Sequence, residues 1–115
     1  MRHHVGGMAV LVDELREYPH VRWTVKHWCH MVSDTSFDEL HAFAAALDIP
    51  RERFQRDHYD LPPVLRARAV LQGAAQVTIS ELARRMAGPR GERNRARRER
   101  RAARAAARAS LDSSA

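Results

Sequence analysis

Five side chains able to bind a divalent cation or move a proton stand between residues 13 and 60: Asp13, His30, His41, His58 and Asp60. Imidazole and carboxylate together suit a divalent metal ion, and the same groups act as acid and base at phosphate esters. The expected metal ligands are Asp13, His30, His41 and His58, and the expected catalytic group is Asp13, His41, His58 and Asp60. Arg16, Tyr59 and Arg66 are placed to hold an anion beside them. Each residue also has an ordinary structural alternative: Asp34 and Asp60 as helix caps, Asp13 closing a loop, His30 as a hydrogen-bonded core histidine. No His-Glu-x-x-His pair, P-loop, Gly-x-Gly-x-x-Gly turn, nucleophile elbow or zinc-deaminase motif is present, which excludes the enzyme classes built on them.

The elements that must position these groups follow from periodicity and capping. Met8 to Val12 is a short apolar run expected as a strand buried on both faces, and Glu14 to Lys26 reads as a long loop or irregular hairpin. Trp28 to Val32 reads as a second strand, with Trp28, His30 and Val32 on one face and Cys29 and Met31 on the other. Ser36 with Glu39 has capping-box spacing, and Leu40, Phe43, Ala44 and Leu47 follow as an apolar helical stripe that Pro50 ends. An extended segment from Arg53 leads to His58-Tyr59-Asp60, where Asp60 is expected to cap a helix that tolerates Pro62 and Pro63 in its first turn and stops at Gly73. Ala75 to Val77 is a short strand, and Thr78 with Glu81 repeats the capping spacing before a third helix that runs to Gly88.

Strands alternating with helices predict an α/β fold: a small, mostly parallel sheet of about four strands with three flanking helices. Ligands of such sheets bind outside the carboxyl ends of the strands, where Asp13, Asp34, His58, Asp60 and Thr78 are expected to fall. The core of so small a domain is modest, and homodimerisation would enlarge it.

Composition divides the chain at Gly88-Pro89. Residues 1–7 are expected as a disordered extension, 8–88 as the domain and 89–115 as a basic tail. Up to residue 88 the 11 basic and 11 acidic side chains cancel, while beyond it nine arginines face three acids, so the tail supplies the whole net charge of +6. Arg90, Arg93, Arg97, Arg101, Arg104 and Arg108 recur at helical spacing, with alanine filling most of the remainder. Like charges along one stripe and no apolar face predict a frayed or disordered tail, with Arg97, Arg101, Arg104 and Arg108 as contacts for nucleic-acid phosphates. GC-rich coding would produce the same Arg/Ala composition with no ligand at all. The single cysteine excludes an internal disulfide, and no stretch is apolar enough for a membrane helix or a signal core, so a cytoplasmic protein is expected.

At the residues Val12-Asp13-Glu14, Cys29-His30-Met31 with Asp34, Glu39-Leu40-His41 with Phe43-Ala44, and Phe54-Gln55 followed by His58-Tyr59-Asp60, the chain resembles the bacterial and phage family called domain of unknown function 4031. Arg66 and Gly73-Ala74 also fit, and the resemblance runs along most of residues 8–86. It implies the domain boundary and the choice of site residues, with a leaning toward nucleotide or nucleic-acid metabolism. Pro62-Pro63 and Leu65 depart from the more basic helix start expected of the family, and the Arg/Ala tail lies outside its pattern.

Two function classes follow. One is a metal-assisted hydrolase of a nucleotide or nucleic-acid phosphoester, with a divalent ion among Asp13, His30, His41, His58 and Asp60. The other is a non-catalytic module that binds a nucleotide, a nucleic acid or another anionic ligand, with the tail adding electrostatic affinity. Tyr18, Trp23 and Trp28 alternate with Arg16, Arg22 and Lys26, a pattern that either stacks bases or packs as a lid on the core.

Overall fold

The computed structural model describes residues 9–114; the expected N-terminal extension and Met8 lie outside the described residues. Six strands form the sheet: β1 (Val10–Val12), β2 (Arg16–Glu17), β3 (His27–Ser33), β4 (Phe54–Gln55), β5 (His58–Leu61) and β6 (Ala75–Gln76). Four α-helices accompany it: α1 (Phe37–Ala46), α2 (Pro63–Gln72), α3 (Ile79–Arg85) and α4 (Pro89–Ser114). The strand order is β4-β5-β3-β1-β6, with β2 pairing β3 away from this path.

The sheet is mixed, which corrects the expected mostly parallel arrangement. Only β1 and β6 are parallel neighbours; β1–β3, β2–β3, β3–β5 and β4–β5 all pair antiparallel. Helices α1 and α2 do connect strands that run the same way, β3 to β4 and β5 to β6, yet in neither case are the two strands adjacent. The β4–β5 hairpin inserts β5 beside β3, and its turn is Arg56-Asp57, with Arg56 at φ +63°. A left-handed turn normally advertises itself with Gly or Asn, and an arginine there gives no such signal. Ligand placement at a shared carboxyl edge therefore does not apply.

Alternation along the strands separates two apolar layers. Val10, Val12, Cys29, Met31, Tyr59 and Leu61 face α1 and α2, where Leu40, Ala44 and Ala69 complete the core. Leu11 and Val32 face the other way, against Leu82 of α3 and Met86 just beyond its end. Ser36 caps α1 by accepting from the Glu39 amide, as expected, but the Glu39 carboxylate accepts from Ser33 Oγ, which itself accepts from the Ser36 amide. Asp60 does not cap α2; that helix starts after Pro62 without a side-chain cap and ends at Gly73, whose φ of +117° suits a residue lacking Cβ.

The tail is a continuous helix, α4, rather than frayed chain. The domain nucleates it, so propagation through strong helix formers such as Ala and Arg meets no initiation barrier. Gly88, at φ +96°, turns the chain out of α3, and Gly91 packs directly on the Met86 carbonyl. Asn94 and Arg95 then donate to the Ala83 and Arg84 carbonyls at the end of α3 and to the Met86 carbonyl just beyond it.

Because a Cβ at Gly91 would overlap that backbone carbonyl, Gly91→Ala must push α4 away from α3. It is expected to destabilise by about 1–3 kcal/mol, read as a drop in thermal midpoint of roughly 5 °C or more; an unchanged midpoint would show that α4 does not dock as described.

Candidate metal centre

Strand register brings three of the sequence-selected residues onto one sheet face. His30 on β3 sits opposite Asp60 on β5, and the Asp13 amide donates to the His30 carbonyl at 3.2 Å, which continues the row across β1. His58, two residues before Asp60, shares its face. One donor atom from each of His30, His58 and Asp60 lies within 4.8 Å of the others, and the imidazole centroids are 5.2 Å apart.

Each imidazole is oriented by a buried carboxylate behind it. Asp13, fully buried, accepts from the His30 backbone amide at 2.6 Å and meets His30 Nδ1 at 2.8 Å. Asp57, also buried, meets His58 Nδ1 at 2.9 Å. With both Nδ1 atoms engaged, Nε2 is the remaining nitrogen of each ring, and His58 Nε2 lies 3.2 Å from Asp60 Oδ1. That spacing matches the edge of a tetrahedron with bonds of about 2.0 Å, close to 3.3 Å. A carboxylate behind a ligating histidine fixes its tautomer and raises its basicity. Gln55 Nε2 donates to the second Asp60 oxygen at 2.9 Å, which fixes the third donor.

Electrostatics tie the cluster together. Burial alone would lower the His58 pKa, but hydrogen bonds to Asp60 and Asp57 outweigh it and the pKa is raised. Burial pushes the Asp60 carboxyl the other way, and its contacts with His58 prevail, so its pKa is lowered.

The remaining sequence-selected residues stand elsewhere. His41 lies on α1, across the sheet, with Nδ1 2.8 Å from the Tyr59 hydroxyl and its ring against Phe54. Burial and the nearby Arg51 lower its pKa. Tyr59 is buried in the α1 and α2 layer, and Arg66 Nε donates to the Asp13 carbonyl while Nη1 donates to Gln76, so neither projects with the triad. Arg16 is exposed on β2. Asp34 accepts from the Ala9 amide and pairs with Arg85, joining the residue before β1 to α3. Burial, then the Asp13 charge, pushes the Cys29 thiol up to about 12, so it stays protonated. Asp57 is not among the sequence-selected residues, and Arg90 stands in the sequence only as one of the tail arginines. Arg90 Nε and Nη2 grip the two Asp57 oxygens at 3.1 and 2.7 Å, linking α4 to the carboxylate behind His58.

Among the described residues no helix is long and apolar enough to cross a membrane. No curated protein and no solved structure matches the chain. The family model "Protein of unknown function (DUF4031)" matches residues 10–88, which contain every residue of the triad and both carboxylates behind it, while Arg90 falls just beyond. The chain belongs to this family of unknown function, DUF4031.

Proposed function

We propose that the domain binds one divalent transition-metal ion through His30 Nε2, His58 Nε2 and Asp60, and uses it in phosphoester hydrolysis. The observation that carries the reading is the pair of buried carboxylates, Asp13 and Asp57, each holding one histidine by Nδ1. Two imidazoles and one carboxylate would hold such an ion, which would supply activation of water and offset the negative charge that develops on the ester.

Zinc titrated into the purified protein by calorimetry tests the binding. One equivalent is expected, with affinity lost in His58→Ala and reduced roughly 10–100-fold in Asp13→Asn, which removes only the supporting contact. Affinity should fall on acidification through the raised His58 pKa, starting above the ordinary value of about 6.5, because the proton and the ion compete for Nε2. Metal-dependent hydrolysis of bis(4-nitrophenyl) phosphate, absent in His58→Ala, is the expected activity. Stoichiometric binding without turnover would support the non-catalytic module instead.

A second reading concerns the tail. A groove of about 480 Å³ between α3 and α4 is lined by Arg84, Arg97, Arg98 and Arg101. Arg84 Nε is buried without a hydrogen-bond partner, and among the described residues no carboxylate pairs with these four guanidiniums. This arrangement favours a nucleic-acid phosphate backbone on the tail, with Arg104 and Arg108 continuing along the exposed helix. Replacing Arg97, Arg101, Arg104 and Arg108 together by Gln should weaken single-stranded DNA binding. It should also flatten the slope of log affinity against log salt by about 3, from roughly 0.7 per phosphate contact. An unchanged slope would assign the tail no such role.

A further inference from the structure

The metal reading leaves open which organic group the ester carries, and the wall beside the triad bears on this. The loop joining β2 to β3 folds back on itself: the Tyr18 amide donates to the Lys26 carbonyl, and Lys26 Nζ donates to the Val21 carbonyl. Trp28, on the same β3 face as His30, has its indole N–H bonded to the Val25 carbonyl at 3.1 Å and its ring edge-on to Trp23 at 5.3 Å. Two adjoining hollows result. One, of about 190 Å³, runs from Trp23 and Trp28 to His30, His58 and Asp60; the other, of about 730 Å³, extends from the same two tryptophans and Asp60 to Arg22 and Arg53.

Trp23 is 60 % exposed, and Leu15 and Val25 on the same hairpin also present apolar surface to water. A large indole left facing solvent at the mouth of a hollow is a platform for a planar ring. The charges along the wall select what that ring must carry. Arg22 and Arg53 are balanced by Glu52 and Asp60, so the hollow is neutral in itself. A divalent ion at the triad tips it positive and supplies the seat for a phosphate.

We propose, on the basis of the metal reading, that this double hollow is a nucleotide site: the base lies against Trp23, and the phosphate reaches the ion held by His30, His58 and Asp60. The distinguishing property is that ring and phosphate are recognised together, the phosphate only when metal is bound. A free mononucleotide and the terminal nucleotide of a single strand offer the same chemistry.

The test is calorimetry on the zinc-loaded full chain with adenosine 5′-monophosphate, ribose 5-phosphate, adenosine and a 5′-phosphorylated oligoadenylate. Adenosine 5′-monophosphate is expected to bind at least about tenfold more tightly than ribose 5-phosphate, the low end of what one stacked base contributes. Binding should weaken at least as much when zinc is withheld and should quench tryptophan fluorescence. Trp23→Ala should abolish the preference for the ring while zinc affinity stays within about twofold, since Trp23 is exposed and is not a donor. Tighter binding of the oligoadenylate assigns the site to strand ends; equal binding assigns it to mononucleotides. Zinc binding with equal affinity for adenosine 5′-monophosphate and ribose 5-phosphate, or a ring preference untouched by Trp23→Ala, overturns the nucleotide site and leaves the metal reading intact. Failure to bind zinc overturns the metal reading itself, and nucleotide affinity that is the same with and without zinc overturns the coupling between the two.

Discussion

A carboxylate cannot be buried without compensation, and among the described residues Asp13 and Asp57 are both buried. Asp13 follows β1 and Asp57 sits in the β4–β5 turn, yet both are satisfied in the same way, by an imidazole Nδ1 and one further partner. For Asp13 the second donor is the His30 backbone amide; for Asp57 it is Arg90, from the helix that follows the domain. Removing one partner of a buried charge leaves the other uncompensated, at a cost of several kcal/mol, roughly 3–5, so neither histidine is free to turn. Nε2 is the ring nitrogen left over on each, and on His58 it meets Asp60 at 3.2 Å. Site geometry is thus a by-product of solving a burial problem.

The same constraint explains why the tail helix is part of the structure. Asp57 sits in the tight β4–β5 turn, and Arg90 grips it with two nitrogens from the first turn of α4. Gly91 lets that turn approach Met86, and Asn94 and Arg95 close the exposed end of α3. A helix tethered at so many points starts folded, whereas the repulsion between arginines that argues for disorder acts on its exposed far end. Ala and Arg propagate the helix well once it has begun.

Much of the fold was legible because local rules and tertiary packing agreed. The Ser36 and Thr78 caps, the Gly73 stop and the alternation of β3 all appear where the residues place them. Sheet direction was not legible, since a left-handed Arg56 hides the β4–β5 hairpin and no local signal says which strand a helix will return beside. His30, His58 and Asp60 stood out as residue types, and pairing of β3 with β5 is what gathers them. His41 looked equivalent in sequence, but helix α1 packs on the opposite face and spends that imidazole on Tyr59. Asp57 and Arg90 had no signature: one resembles a turn residue and the other a member of the arginine run, and their partnership spans 33 positions.

The central proposal is that the two buried carboxylates, by holding His30 and His58 through Nδ1, leave both Nε2 atoms to share one metal ion with Asp60. The most direct measurement is an anomalous-difference map from crystals of the full chain grown with zinc, recorded on both sides of the zinc absorption edge. The account predicts a single strong peak about 2.0–2.2 Å from His30 Nε2, His58 Nε2 and an Asp60 oxygen, with Asp13 and Asp57 still on the two Nδ1 atoms. A peak bound through either Nδ1, or zinc held by other residues while the triad keeps its proton, would contradict it.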